Sequence, residues 1–479
     1  MGGIIGIYDV ENRNISKILY YGLYALQHRG QESAGIAVNN NGFIDYHKDL
    51  GLTHEVFPEE VLNRLRGNIG IGHVRLGAGD KISSVNAQPL VVGYKKGAMA
   101  LAHNGNLINS AELREKLEDG GTIFSTNIDT EVIANLIARY HTDDIEEAIL
   151  KALKIIKGSY AMILMTVDRL IGVRDPHGIR PLCIGKLGED YLLSSESCAF
   201  DTIGAEFIRD VEPGEMVVIK DKEIKSIKSE SIYDRKLCLF EFIYFARPDS
   251  KIDGKSVYVS RREAGKILAR ECPADADIVI SAPDSGTVAA IGYAEASGIP
   301  YDEGLIKNKY IGRTFIESTQ EMREQGVKIK LNVLRENVEG KRLVLVDDSI
   351  VRGTTMSRIV RMLKGAGAKE VHVRICSPAV LHTCNLGMDT PKRQNLIASD
   401  KTIEEIRDYI GADSLCYISL EGLIKGAGGE NVFCTGCFDK KYPEELNIDL
   451  EWVKGPSLDS FGKLKRRRFP WVNPIRKQE

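Results

Sequence analysis

The stretch from Leu343 to Thr355 constrains this chain more than any other part of its 479 residues. Leu343, Val344, Leu345 and Val346 form an unbroken apolar run, as expected of a parallel strand buried on both faces. Asp347 and Asp348 close that strand, and Gly353, Thr354 and Thr355 then open a helix carrying Ile359, Met362 and Leu363. Open α/β sheets bind ligands outside the carboxyl ends of their strands, so both carboxylates face a crevice. Amides and hydroxyls of Ser349, Val351, Arg352, Gly353, Thr354 and Thr355, at a helix N-terminus, suit a phosphate. The segment therefore reads as a cradle for a sugar phosphate, with the aspartates meeting ribose hydroxyls or a hydrated Mg²⁺. A strand followed by an acidic N-cap is the plainer alternative.

The same rhythm recurs nearby. Residues 277–282 read as a strand and 289–296 as a helix, 342–346 and 356–363 repeat the pair, and 370–376 give a third strand, which predicts a parallel sheet with helices on its faces. Residues 2 to 235 alternate short apolar runs with helical stretches. The charge-rich segment 220–236 reads as a connection, so two domains are expected, 2–235 and 236–479.

A hydrophobic share of 43% and a charged share of 27% give ample core for both. No apolar run of about 18 residues occurs, and the start lacks a basic n-region, so a cytoplasmic protein with no membrane partner is expected. Gly2 would suit myristoylation, but Gly6 stands where Ser or Thr is needed. A net charge of −3 argues against nucleic acid as a partner. The basic run from Lys463 to Arg468 reads as a solvated tail, with a phosphate or partner contact as its alternative. Nine cysteines without a secretion signal point to metal ligation or buried thiols rather than disulfides.

Further anion-binding parts lie in the second half. Ala282 to Thr287, with Asp284 and Ser285, is a second turn between strand and helix. Lys307 to Phe315 is a cationic loop with Gly312 at its centre, able to close over a polyanion. Cys434 and Cys437 form a CxxC. From spacing alone, zinc and an iron–sulfur cluster are equal contenders for four thiolates.

The Leu343–Thr355 string resembles the phosphoribosyl-pyrophosphate (PRPP) motif of type I phosphoribosyltransferases. Together with Tyr20 to Gly35, Arg174 to Pro181, Glu212 to Met216 and the cationic loop, it makes the chain similar, from about residue 3 to 445, to the amidophosphoribosyltransferases. The iron–sulfur bacterial type is the most similar. The resemblance implies α/β and α+β architecture: an N-terminal-nucleophile αββα sandwich, which hydrolyses glutamine, joined to a type I phosphoribosyltransferase parallel-sheet domain. There, ammonia attacks C1 of PRPP to give 5-phosphoribosylamine and pyrophosphate for purine biosynthesis.

It also implies roles. Asp347 and Asp348 would hold ribose and Mg²⁺, with Ser285 a third metal contact. Lys307, Lys309 and Arg313 would neutralise the departing pyrophosphate, and Tyr310 would wall the ammonia path. Prearranged charge and exclusion of water matter here because C1 gains oxocarbenium character. Cys238, Cys384, Cys434 and Cys437 would carry one four-iron four-sulfur cluster. Cys183, Cys198, Cys272, Cys376 and Cys416 are left as buried thiols. In the first half, Arg75 would clamp the glutamine carboxylate, Asp129 its amino group, and Asn104 with the Gly105 amide would form the oxyanion hole. A second copy in a dimer or tetramer and purine-nucleotide regulators are partners expected on the same ground.

One departure bears on function. The family's mature chain begins with the nucleophilic cysteine, and here that position is Gly2, which leaves the terminal amine no side chain to activate. Leu76 and Ala78 also stand where the family shows Tyr and Thr. A drifted glutaminase domain and a single exchange at position 2 both fit. Three readings follow: transfer to ammonia that is free or delivered by a partner, which is favoured; transfer to another nucleophile; or a non-catalytic sensor of PRPP or nucleotides.

Overall fold

Two antiparallel sheets stack face to face in the first half of the chain. The structure, a computed structural model, describes residues 2–10, 14–76, 83–228, 233–308, 331–388, 390–429 and 432–443. Ala78, Lys309, Tyr310, Gly312, Arg313 and the 463–468 run lie outside these residues. In spatial order the first sheet is Glu206–Asp210, Cys183–Leu187, Asp190–Ser194, Gly2–Tyr8, Ile69–Arg75, Ser33–Asn40 and Phe43–Leu50. The second is Glu223–Lys228, Glu215–Lys220, Leu170–Arg174, Gly158–Met165, Gly97–Leu107 and Leu90–Tyr94.

Strand alternation decides the layering. Ile4, Ile71, Ala102 and Ile163 share the core between the sheets. Ile5 and Ile7 face outward, onto Leu19 and Leu23 of the Ile15–Ala25 helix. On the far side, Met162 and Leu164 meet Val132 and Leu136 of the Asp129–Tyr140 helix. The result is the αββα sandwich expected. Gly6 permits the close approach of its sheets, since a Cβ there would lie 3.0 Å from Ile163 Cγ2.

In the second half, Ile278–Ser281, Arg342–Asp347, Glu370–Ile375 and Ser414–Tyr417 pair in that order, all parallel. The Thr287–Ser297, Thr354–Gly365 and Ile403–Ile410 helices follow the first three strands. No described helix is long and apolar enough to cross a membrane.

Two expectations are corrected. The charge-rich segment from 220 is not all linker, because Glu215–Lys220 and Glu223–Lys228 form a β-hairpin on the edge of the second sheet. Lysines on an edge strand resist edge-to-edge pairing, and this explains the composition. Cys272 and Cys416, expected as free thiols, are joined in a disulfide across 144 residues, with Cα atoms 6.0 Å apart. The bond ties the end of the Val257–Glu271 helix to the Ser414–Tyr417 edge strand. Cys183, Cys198 and Cys376 are buried and free, as expected. Closing so long a loop stabilises by at most about 5 kcal/mol in the chain-entropy picture. Reductant, or Cys416→Ser, is therefore expected to lower the melting temperature by several degrees in calorimetry. Identical melting with and without reductant would show that the bond contributes nothing.

Candidate active sites

The Arg342–Asp347 strand delivers its two carboxylates to the carboxyl edge of the parallel sheet, as the sequence predicts. Both side chains are nearly inaccessible, Asp347 at 8% and Asp348 at 6% exposure. Asp347 Oδ1 accepts the Asp348 N–H at 2.8 Å and the Ser285 hydroxyl at 3.3 Å, and Ser349 Oγ donates to Asp348 Oδ2 at 2.6 Å. Burial, and then the charge of Asp348, push the Asp347 carboxyl well above its ordinary range. Two carboxylates crowded in this way repel one another when both are ionised.

Ser285 reaches Asp347 because Gly286 lets the 282–287 turn press against the strand end, where a Cβ would lie 2.4 Å from Val346 O. Gly353, at φ +75°, caps the Thr354–Gly365 helix, and a Cβ there would strike Ile397 Cδ1 at 2.6 Å. Arg352, Thr354 and Thr355 are exposed beside it, free to take a phosphate, and Val351 is half-buried. Lys307 bonds Asp284 at 2.5 Å on the exposed rim of the same turn.

The sequence reading missed two groups here. The Tyr244 phenol is raised by burial and then by Asp348 and Asp347, so it stands near both carboxylates. Tyr244 belongs to a π-helical turn, Glu241–Phe245, gripped by Arg261, whose Nε donates to Phe242 O and Nη2 to Ala246 O, both at 2.7 Å. π-turns of this kind are frequent at functional sites. No local pattern announced it, since a five-residue apolar turn reads equally as helix or strand.

The other expected pocket surrounds the start of the first strand. Gly2 pairs with Arg75, and the Gly2 N–H donates to Asn104 Oδ1 at 3.1 Å. Asn104 is fully buried, and its Nδ2 has no partner among the described residues. Gly105 follows at φ +155°, with no room for a Cβ against Ser159 O. Asp129 heads its helix, accepts the Leu107 N–H at 2.9 Å and faces His103 Nδ1 at 3.5 Å. Burial raises its carboxyl, but His103 and the Leu107 amide outweigh that and hold it well below the usual range. Arg75 is lowered by burial and supported by Asp129. A guanidinium and a carboxylate thus flank an unused amide donor, an arrangement fit for an α-amino acid. At Gly2 itself, a Cβ would lie 2.5 Å from Val74 O and 2.6 Å from His73 Nε2.

The four cysteines expected to act together lie on neighbouring segments. Cys238 and Cys434 are partners in a short parallel ladder, Leu381 and His382 N–H groups both donate to Cys437 O at 3.0 Å, and Leu386 N–H reaches Cys384 Sγ at 3.3 Å. All four thiols are free. Burial first, and then Cys384, Cys238 and Cys434, push the Cys437 thiol up, so the four share one electrostatic neighbourhood. Among the described residues, no three or more His, Cys, Asp or Glu stand close enough to hold a single metal ion.

Comparison with known proteins finds two domain families in the chain. Residues 73–202 match the glutamine amidotransferase domain family and residues 256–383 the phosphoribosyl transferase domain family. The chain is 51% identical over 448 residues to an amidophosphoribosyltransferase of Archaeoglobus fulgidus, covering 92% of this chain and 98% of that protein. The Bacillus subtilis amidophosphoribosyltransferase is 49% identical over 456 residues, covering 93% and 95%. Among solved structures, the B. subtilis glutamine PRPP amidotransferase complexed with ADP and GMP superposes with a TM-score of 0.87 at 49% identity, covering 93% of this chain and 98% of that one.

Proposed function

Because the chain belongs to the amidophosphoribosyltransferase family, we propose that it forms 5-phosphoribosylamine and pyrophosphate from PRPP and ammonia, and that this ammonia comes free or from a partner rather than from glutamine. The observation that carries the transfer reading is the Asp347–Asp348 pair set beside a helix N-terminus with exposed Thr354 and Thr355. Thr354 and Thr355 hold the 5-phosphate, the two carboxylates hold the ribose face, and Lys307 stands on the side where pyrophosphate leaves. Asp347, Asp348 and the Ser285 hydroxyl fit a Mg²⁺, which commonly takes one or two carboxylates and completes its shell from substrate phosphates and water. When bound, it would neutralise charge growing on the leaving group. The ammonia dependence rests on Gly2, which offers the amide-binding pocket no nucleophile. Purine nucleotides, as regulators, and a homo-oligomeric assembly belong to the same proposal.

The cysteine set fits an iron–sulfur cube. Four free thiols converge from three separate segments, next to a buried cation, and none is oxidised to a disulfide. Anaerobically purified protein is expected to be brown, with about four iron and four sulfide per chain, the stoichiometry of a thiolate-bound cube. Colourless protein with one zinc would replace the cluster by a zinc site. The transfer reading itself is tested by pyrophosphate release from PRPP and Mg²⁺ with ammonium as acceptor, and no release with any amine would overturn it.

A further inference from the structure

Arg180 belongs to the first half of the chain and is completely buried, yet its side chain serves the cysteine set of the second half. Its Nη2 donates to Leu386 O at 2.5 Å, and the Leu386 N–H in turn reaches Cys384 Sγ. The carbonyl of the preceding residue, Ile179, accepts the Cys238 N–H at 3.2 Å. The Arg180 side chain is thus joined to Cys384 through the single residue Leu386, and its backbone to Cys238 through the Ile179–Arg180 peptide. Its loop is held in place from below, because the Ile179 and Arg180 N–H groups both donate to the buried Asp175, at 3.0 and 3.2 Å. The Cys384 segment is gripped from the same side: Ser159 Oγ donates to Leu386 O at 2.7 Å and Asn106 Nδ2 to Asn385 O at 2.9 Å. Gly387 then passes so close that a Cβ would lie 3.3 Å from Arg180 Nη2.

Two facts set this arginine apart from an ordinary structural one. Its Nε–H has no partner among the described residues, although the side chain is fully enclosed. Its one carboxylate, Glu241 at 3.2 Å, is already held by both terminal nitrogens of Arg29, at 3.1 and 2.8 Å. A buried donor with nothing to donate to is costly, and groups around a metal site commonly supply the N–H that its ligands lack. Burial opposes the Arg180 charge, but Cys238, Glu241 and Cys384 favour it more strongly.

We propose that Arg180 is a positioning residue for the group held by Cys238, Cys384, Cys434 and Cys437: it supplies the counter-charge to the four thiolates, offers its unused Nε–H to a sulfur, and raises the reduction potential of that group. This rests on the iron–sulfur reading above. It also assigns the first half of the chain a task independent of glutamine, since Arg180, Ser159 and Asn106 all come from the sandwich.

The test uses the full chain, purified anaerobically. Iron and sulfide are measured first, and their absence would sink the cluster reading and this one with it. In redox titrations of loaded protein, Arg180→Met is expected to shift the ratio of oxidised to reduced cluster at least about tenfold towards oxidised at a fixed potential, about 59 mV for one electron. Arg180→Lys, which keeps the charge, is expected to shift it less. A loaded Arg180→Met protein with the parent potential would overturn the proposal and leave the cluster standing. Should Arg180→Met fail to load, the parent protein decides: grown with ¹⁵N-guanidino arginine and reduced, it is expected to show a ¹⁵N coupling in pulsed electron paramagnetic resonance that Arg180→Lys lacks. A loaded, labelled parent without that coupling would equally overturn it.

Discussion

Glutamine is expected to support no measurable pyrophosphate release by this chain under conditions where ammonium does. Removing the nucleophile of a covalent mechanism costs on the order of 10⁶ in rate when the remaining groups depend on it. At position 2 there is only a backbone N–H, hydrogen-bonded to Asn104. Direct assay of glutamate formation, beside ammonium-supported transfer, checks this, and substantial hydrolysis by the unaltered chain would overturn it. The geometry also bears on rescue. With Met1 removed, Gly2→Cys places thiol beside amine, but its Cβ would meet Val74 O and His73 Nε2 at 2.5 and 2.6 Å. The first of these is backbone, so the strand itself must shift. Gly2→Cys alone is therefore expected to remain far below the ammonium rate, and a triple variant with Leu76→Tyr and Ala78→Thr to exceed it. A single variant as active with glutamine as with ammonium would show that only position 2 had changed.

The second large effect concerns Asp347. PRPP with Mg²⁺ at about 100 times its dissociation constant stabilises a native state by about 2.7 kcal/mol, and Asp347→Asn with Asp348→Asn is expected to remove most of that protection in thermal melts. Full protection of the double variant would place the ligand elsewhere. Without ligand the effect reverses. Burial and Asp348 raise the Asp347 carboxyl, so the native state keeps a proton that the unfolded chain releases at lower pH. The stability from this group is complete below the unfolded carboxyl range and declines as pH rises towards the folded value. Asparagine imitates the protonated form, so ligand-free Asp347→Asn is expected to melt above the parent at pH 8 and to converge with it in acid. A variant less stable than the parent at pH 8 would contradict the crowding of the two carboxylates.

Much of this architecture is legible in the sequence because its strands are buried on both faces. The cores of the runs at 277–282 and 342–346 are continuous and apolar, the run at 370–376 alternates Val371, Val373 and Ile375 with His372 and Arg374, and each has its strand in the structure. The carboxylate pair was legible for the same reason, since it marks where such a run ends. Pairings between distant elements were not. Cys272 and Cys416 meet only because a helix end abuts an edge strand, which no local pattern encodes. The same holds for Arg29, which donates to Gly2 O, Glu196 and Glu241 at once. Lone arginines between glycines and acids look like solvated loop residues until the fold encloses them.

The junction between the halves includes several buried ion pairs. Arg29 and Arg180 reach Glu241, and fully buried Arg174 takes both oxygens of Asp253 at 2.7 and 3.0 Å. Each pair has one member before the junction and one after it. Breaking a buried pair typically costs about 3–5 kcal/mol, because the abandoned charge stays in a dry setting. A gene cut between the halves would hand each product the wrong end of several such pairs. Two separate subunits could reunite only by finding every partner at once, so fission of this chain would be costly. The two halves of the chain are thus bound to persist together.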